Sequence, residues 1–598
     1  MGQSSSGRPG GGKLLPHSRI ASFQRFIPPL PRFRTPSFVA IAWFACAAIS
    51  TMAAQSSRAP FDVIIANGRV VDGTGAPWFR ADVGIVGDRI TRIGDLHAAT
   101  AARRIDATNL VVAPGFIDML GQSEFNVLVD NRAASKILQG VTTEITGEGS
   151  SIAPINDKMI AEEWSGAASH YHVTVDWRSL TDYFTRLDTR THPAINIGTF
   201  VGAGGLREYV IGKDERAATP ADLTEMKRLV AQAMEQGALG LSSSLQYVPD
   251  RFATTDELVE LAKVAASYGG IYITHQRSES GKIFESLDEV FAIAERAKIP
   301  AEIFHLKTAY KANWGKMGDV LARIHAARAR GLDITANQYP YVRASNGLDA
   351  CLPLWVREGG KDKMIARLKD PAQRERAKTD MNVANPPDWE NQWYGSGGGD
   401  GVLLTTVLSA DLKKYEGKTL TEIGTLMGKD PRDAVMDVVI ADHGESSVVI
   451  SIMLEDDVEL ALRDPLVAVG TDSGAMAEDG PLSDTKSHPR GWGSFPRILG
   501  KFVRDEHLLT TEDAIRKMTS RPATRVGLAD RGILRPAMMA DVTVFDPATI
   551  RDVATFNDSN RYATGVKWVF VNGRAVVADG KITAERPGRA LLGPGYKK

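Results

Sequence analysis

The chain has 598 residues, room for one large barrel with attachments or for up to about four domains. With 43% hydrophobic and 24% charged side chains it has the make-up of a globular protein, which excludes a disordered or fibrous one. Its 71 basic residues barely balance 72 acidic ones, so the clustered excess of Lys and Arg that a nucleic-acid binder needs is missing, and two cysteines, Cys46 and Cys351, exclude a disulfide scaffold or a zinc site of several thiolates.

Basic residues from Arg8 to Arg34 precede an apolar run from Phe38 to Ala48 and small residues up to Ala53 and Ala54. Basic, apolar, small is the order of an export signal. Residues 1–54 are therefore expected to be a signal peptide, with the mature chain periplasmic or secreted and free of the membrane; uncleaved, the apolar run would anchor it. Cleavage would leave Cys351 as the single thiol.

Short strands follow at Asp62 to Ile65, Arg69 to Val71, Asp82 to Val86 and Ile90 to Ile93, separated by the turns Asn67-Gly68, Asp72-Gly73 and Gly87-Asp88. The far end repeats the pattern at Asp541 to Phe545, Val566 to Val571 and Arg574 to Val577, with Asn572-Gly573 as a hairpin turn. Two half-domains, 58–113 and 530–585, are expected to close into one small β domain, a β-sandwich, with 586–598 as a tail.

Between them the pattern alternates. Strands read at Val111 to Phe116, Thr142 to Thr146, Ala194 to Phe200, Ala238 to Ser242, Gly270 to Thr274, Ala301 to Phe304, Asp333 to Ala336 and Leu466 to Gly470. Helical periodicity at Pro220 to Gln236, Thr255 to Tyr268 and Ile283 to Ala297 lies between several of them. This predicts an α/β fold, a (β/α)8 TIM-type barrel over 114–529 with its chemistry at the carboxyl ends of the strands. A doubly wound sheet is the alternative, but no dinucleotide glycine fingerprint follows the first strand. Residues of about 342–463 are too many for a plain loop and are read as a lid over the strand ends.

His275 and His305 each stand at the end of a predicted strand, one strand-helix-strand unit apart, so both imidazoles should enter one mouth. Such pairs suit zinc, which in catalytic sites holds three protein ligands and keeps a position for water. Glu148, after the second strand, is the candidate third ligand. Asp472 ends the eighth strand, where a carboxylate beside a metal serves as general base and then general acid. Two histidines and one carboxylate also suit ferrous iron, and another divalent metal remains open.

Pro114-Gly115-Phe116-Ile117-Asp118, Gly237-Ala238-Leu239-Gly240-Leu241-Ser242, Thr274-His275-Gln276-Arg277, His305-Leu306-Lys307, Tyr339-Pro340-Tyr341, Gly470-Thr471-Asp472 and His488-Pro489-Arg490 together resemble the D-aminoacylase, or N-acyl-D-amino-acid deacylase, group of the amidohydrolase superfamily. The resemblance covers nearly everything from Phe61 to about Gly580. It implies a metal-dependent barrel enzyme that cleaves an amide next to a free carboxylate, with His275 and His305 on the tightly held zinc and Asp472 as the base. Lys307 and Tyr339 fall on positions that hold the substrate carboxylate, Ser345, six residues beyond Tyr339, keeps a small polar position near it, and Arg490 is a further candidate for an acidic group on the substrate.

Two departures stand out. The superfamily usually follows its Gly-Phe-Ile-Asp with two histidines one residue apart, and here those positions hold Leu120 and Gln122. D-Aminoacylases use a cysteine after the second strand, where this chain has Glu148. His170 and His172 restore a histidine pair only superficially, after a polar loop. The expectation is one zinc per chain on Glu148, His275 and His305, acting on a small N-acyl amino acid or dipeptide. A dipeptidase or cyclic-amide hydrolase is the alternative within the enzymes, and an inactive secreted binding protein the alternative outside them.

Overall fold

The computed structural model describes residues 60–597, apart from Asn385, Pro387, Asp388 and Thr485. The expected signal peptide lies outside the described residues, and the rest belongs to one unit, Ala59–Lys598.

The small β domain is a nine-stranded sheet shared by the two chain ends. Val111–Pro114 from the front pairs antiparallel with Val542–Phe545 from the back, which stitches the halves together. Two expectations change here. Asn67-Gly68 is a bulge inside one long strand, Phe61–Val70, because Gly68 passes so close to Val112 that a side chain there would collide with it. The expected first barrel strand, Val111 to Phe116, is divided: its first half joins the small sheet, and Phe116–Asp118 alone enters the barrel. Gly115 makes the break, its backbone pressed against Thr142. Asn572-Gly573 forms the expected hairpin turn with both residues at positive φ, 47° and 78°.

Among the described residues the barrel strands are Phe116–Asp118, Val141–Thr146, Asn196–Thr199 (continued by Val201–Gly202), Gly240–Ser244, Ile271–His275, Ala301–Ile303, Ile334–Gln338 and Val467–Val469. Each pairs in parallel with the next. The ring closes through a parallel bridge between Gly121 and Ser473, with the Asp472 amide donating to the Leu120 carbonyl at 2.7 Å. The strands are buried along their whole length because both faces are covered, helices outside and a side-chain core inside. Ile117, Leu120, Ile145, Phe200, Ile273 and Phe304 belong to that inner core.

The helices obey local rules. Pro220–Glu235 starts on a capping box between Thr219 and Asp222 with proline in its first turn, worth about 1 kcal/mol. Ile283–Ala297 buries Leu287, Val290 and Ile293 along one stripe and ends where Lys298 turns left-handed. The tail is bound rather than loose: Arg589 and Leu591 exchange backbone hydrogen bonds with Ile197, and the Gly593 amide donates to the Gly237 carbonyl.

The insertion after the seventh strand has its own three-stranded antiparallel sheet, in the order Arg343–Gly347, Ser447–Ser451, Val402–Thr406. It is shorter than expected, because Glu455–Arg463 is a barrel helix packed against Met317–Ala329 and the eighth strand. Among the described residues no helix is long and apolar enough to cross a membrane.

Candidate metal centre

Glu148, His275, His305, Asp472, Lys307, Tyr339, Ser345 and Arg490 all line one cavity of about 430 Å³ at the carboxyl ends of the barrel strands. His170 and His172 lie elsewhere, His170 half-exposed against Asp484.

Glu148 Oε1 is 3.1 Å from His275 Nδ1 and 3.1 Å from His305 Nε2. One ligand atom from each of the three residues falls within 4.8 Å of the others, a donor set that could hold a metal ion. Electrostatics agree. Burial alone would raise the Glu148 carboxyl, but its bonds to His275 and His305 hold it well below the usual range. Burial and the Lys307 ammonium both oppose charge on His305, yet Glu279, Asp472 and Glu148 raise it to about 9. The acids around this point call for a cation, so the residues fit a divalent metal bound by one hard oxygen and two imidazoles.

Partners on the far ring nitrogens orient both imidazoles. His275 Nε2 donates to Gln246 Oε1 at 2.9 Å, and the Gln246 amide is oriented by giving its own proton to Glu390 at 2.7 Å. His305 Nδ1 is 3.0 Å from Glu279 Oε1. Outer partners of this kind fix ring orientation and raise ligand basicity. Glu390 arrives from the insertion and also accepts from Ser278, Ser280 and the Glu279 amide, so the lid is tied to the metal ligands through hydrogen bonds.

Asp472 sits at φ 51° and His305 at φ 32°, a left-handed backbone that costs about 1–3 kcal/mol for such residues. Buried bonds hold both. The His305 amide donates to Asn337 Oδ1 at 2.9 Å. Around Asp472, the fully buried Lys136 ammonium binds Asp118, the Thr471 hydroxyl and the Ser473 carbonyl at 2.8, 2.7 and 2.6 Å, gripping the residues on either side. The Asp472 carboxylate accepts from Arg490 at 2.5 Å and from Gln122 at 3.0 Å. Burial raises its proton affinity against the opposing charges of Arg490 and His305, as suits a proton shuttle.

Lys307 is buried and bonds Glu279 at 2.6 Å. Tyr339 is 1% exposed, its hydroxyl has no hydrogen-bond partner, and burial keeps it protonated by pushing the phenol well above its usual value. Ser345 lies half-buried on the first insertion strand. At the end of the first strand, Leu120 turns into the apolar core, while Gln122 faces the cavity and donates to Glu148 at 3.1 Å as well as to Asp472. Sequence reasoning missed Glu279, Gln246 and Glu390. Glu279, four residues past His275, carried a faint signal in that spacing; the other two carried none.

A barrel of this closure, with imidazoles at the ends of the fifth and sixth strands and an acid after the eighth, is the layout of a metal-dependent hydrolase. The chain belongs to the amidohydrolase family, which it matches over residues 103–342 and 454–577, the gap being the insertion. It is 34% identical over 541 residues to a D-aminoacylase of Alcaligenes xylosoxydans xylosoxydans, covering 90% of this chain and 99% of that one. The solved N-acyl-D-glutamate deacylase of Bordetella bronchiseptica, complexed with zinc and a phosphonate mimic of the tetrahedral intermediate, is 31% identical with a TM-score of 0.73, over 89% of this chain and 99% of that one. A solved D-aminoacylase described with a binuclear metal centre is 32% identical with a TM-score of 0.72, over 89% and 100%. The chain is an enzyme of amide hydrolysis.

Proposed function

We propose that this enzyme removes the acyl group from N-acyl-D-amino acids, with one zinc held by Glu148, His275 and His305 and with Asp472 as the proton shuttle. The observation that carries the reading is the meeting of both imidazoles on Glu148 Oε1, with Asp472 drawn to the same point through the Gln122 amide. When bound, the metal supplies the Lewis acid that polarises the amide carbonyl and acidifies water. Asp472 takes a proton from the attacking water and returns it to the amine nitrogen as the C–N bond breaks, so that the oxygen of water ends in the carboxylic acid and its protons on the free amine and solvent. Arg490 keeps one Asp472 oxygen fixed while the other works. The substrate carboxylate goes to Lys307 and Tyr339, whose free hydroxyl is a buried donor in need of an acceptor, with Ser345 and Arg490 beside them. The D preference is supported by the similarity to D-aminoacylase. Residues 1–54 direct export, and amino-terminal sequencing of the mature protein should start near Gln55.

The test is release of free amine from matched N-acetyl-D- and N-acetyl-L-amino acids and dipeptides, before and after chelation. Hydrolysis of the D series, lost on chelation and restored by zinc, is expected. Indifference to chelator, or hydrolysis of the L series alone, overturns the reading.

A further inference from the structure

The donor inventory of the cavity points to the side chain it accepts. Among the described residues that line it, the cationic side chains besides the two histidines are Lys307 and Arg490. Both are engaged. Lys307 is closed in by Glu279 Oε1 and the His305 ring, each 2.6 Å away, and Arg490 NH1 is on Asp472 at 2.5 Å. What remains is the Arg490 Nε and the Tyr339 hydroxyl, both buried without partners, beside the Lys307 ammonium. That is enough for one carboxylate, the one every N-acyl amino acid carries on its α-carbon.

A second carboxylate would find only opposition. Glu148, Asp250, Glu279, Glu390 and Asp472 face the same cavity. Glu390 and Asp250 are held above their usual range by burial, so the space around them already resists negative charge. The rest of the wall mixes neutral polar side chains, Gln246, Ser345, Asn346, Gln392 and Ser447 among them, with Tyr247, Val248, Pro249, Tyr310, Ile450 and Ile452, and none of these carries a positive charge. A buried carboxylate with no cation or strong donor is heavily penalised, whereas its amide isostere is not.

We propose that the substrate's side chain carries no negative charge, so that N-acyl-D-glutamate and N-acyl-D-aspartate are excluded. The proposal rests on the reading of this cavity as an N-acyl-D-amino-acid site. It sets the chain apart by chemistry from the structurally similar N-acyl-D-glutamate deacylase, a separation that overall identity does not reveal.

The experiment compares kcat/KM of the zinc-loaded full enzyme for N-acetyl-D-leucine, N-acetyl-D-glutamine and N-acetyl-D-glutamate, alongside the affinities of the free product amino acids by calorimetry. D-Glutamine and D-glutamate share a shape and differ in charge. We expect the glutamate substrate to trail the glutamine one by roughly 10²-fold or more, with leucine also well ahead of glutamate and product affinities of D-glutamine and D-glutamate in the same order. A glutamate rate within tenfold of glutamine, or tighter binding of D-glutamate than of D-glutamine, overturns the side-chain assignment while deacylation stands. Failure to cleave any of the three overturns the deacylase reading and this inference with it.

Discussion

The two sides of the barrel mouth are built from opposite chemistry. On one side the second, fifth and sixth strands deliver Glu148, His275 and His305 to a single point. On the other, the first strand ends in Leu120, which turns into the core, and in Gln122, which keeps an uncharged amide in the cavity. The amide is not idle. By donating to both Glu148 and Asp472, at 3.1 and 3.0 Å, it draws together two carboxylates that would otherwise repel. A shared cation bridges carboxylates in the same way, and here a neutral donor does so. On the proposed reading the contrast is that of a site organised around one metal, with a hydrogen-bond donor, Gln122, where a second cation would otherwise bridge the two acids.

The most severe way to break the working side is at Asp472. Asp472→Asn keeps the size but removes the basic oxygen and leaves a single acceptor for Arg490 and Gln122, so turnover should fall by roughly 10²- to 10⁴-fold while bound metal is retained. Measuring kcat and metal content on the same sample checks this, and retained turnover would remove Asp472 from the chemistry. Lys307→Met is the next largest. If the ammonium holds the substrate carboxylate, kcat/KM should drop about 10- to 100-fold on substrates with a free carboxylate and far less on their neutral amide analogues. Equal losses on both would make Lys307 a support for Glu279 and His305 only. The smallest effect is expected from the quiet side. Gln122→Ala leaves the metal ligands in place but removes the bridge, so kcat should fall only about tenfold, as for the loss of one buried donor to a charged group, with metal content unchanged.

How much of this was legible follows from the same contrast. His275 and His305 were readable because a strand-helix-strand spacing places successive strand ends side by side, and the closed barrel bears that out. Asp472 was readable for the same reason. Leu120 and Gln122 were readable only as missing histidines; that Gln122 bridges two acids depends on how the first and eighth strands close, which no local pattern encodes. Glu279, Gln246 and Glu390 sit on loops, where the side chain that faces the site is decided by tertiary packing. The same limit explains the strand that breaks at Gly115. An apolar run shows that a segment is buried, whereas the partner it pairs with is set by residues hundreds of positions away, such as Asp541, whose carbonyl accepts the Gly115 amide.

Metal stoichiometry tests the central claim most directly. Elemental analysis of the active enzyme, with Glu148→Gln as its control, is predicted to give about one equivalent of zinc per chain and a sharp loss in the variant, because the bridging carboxylate is the one hard ligand between the imidazoles. Two tightly held equivalents in the active enzyme, or full occupancy in Glu148→Gln, would contradict a single metal centre built on Glu148, His275 and His305.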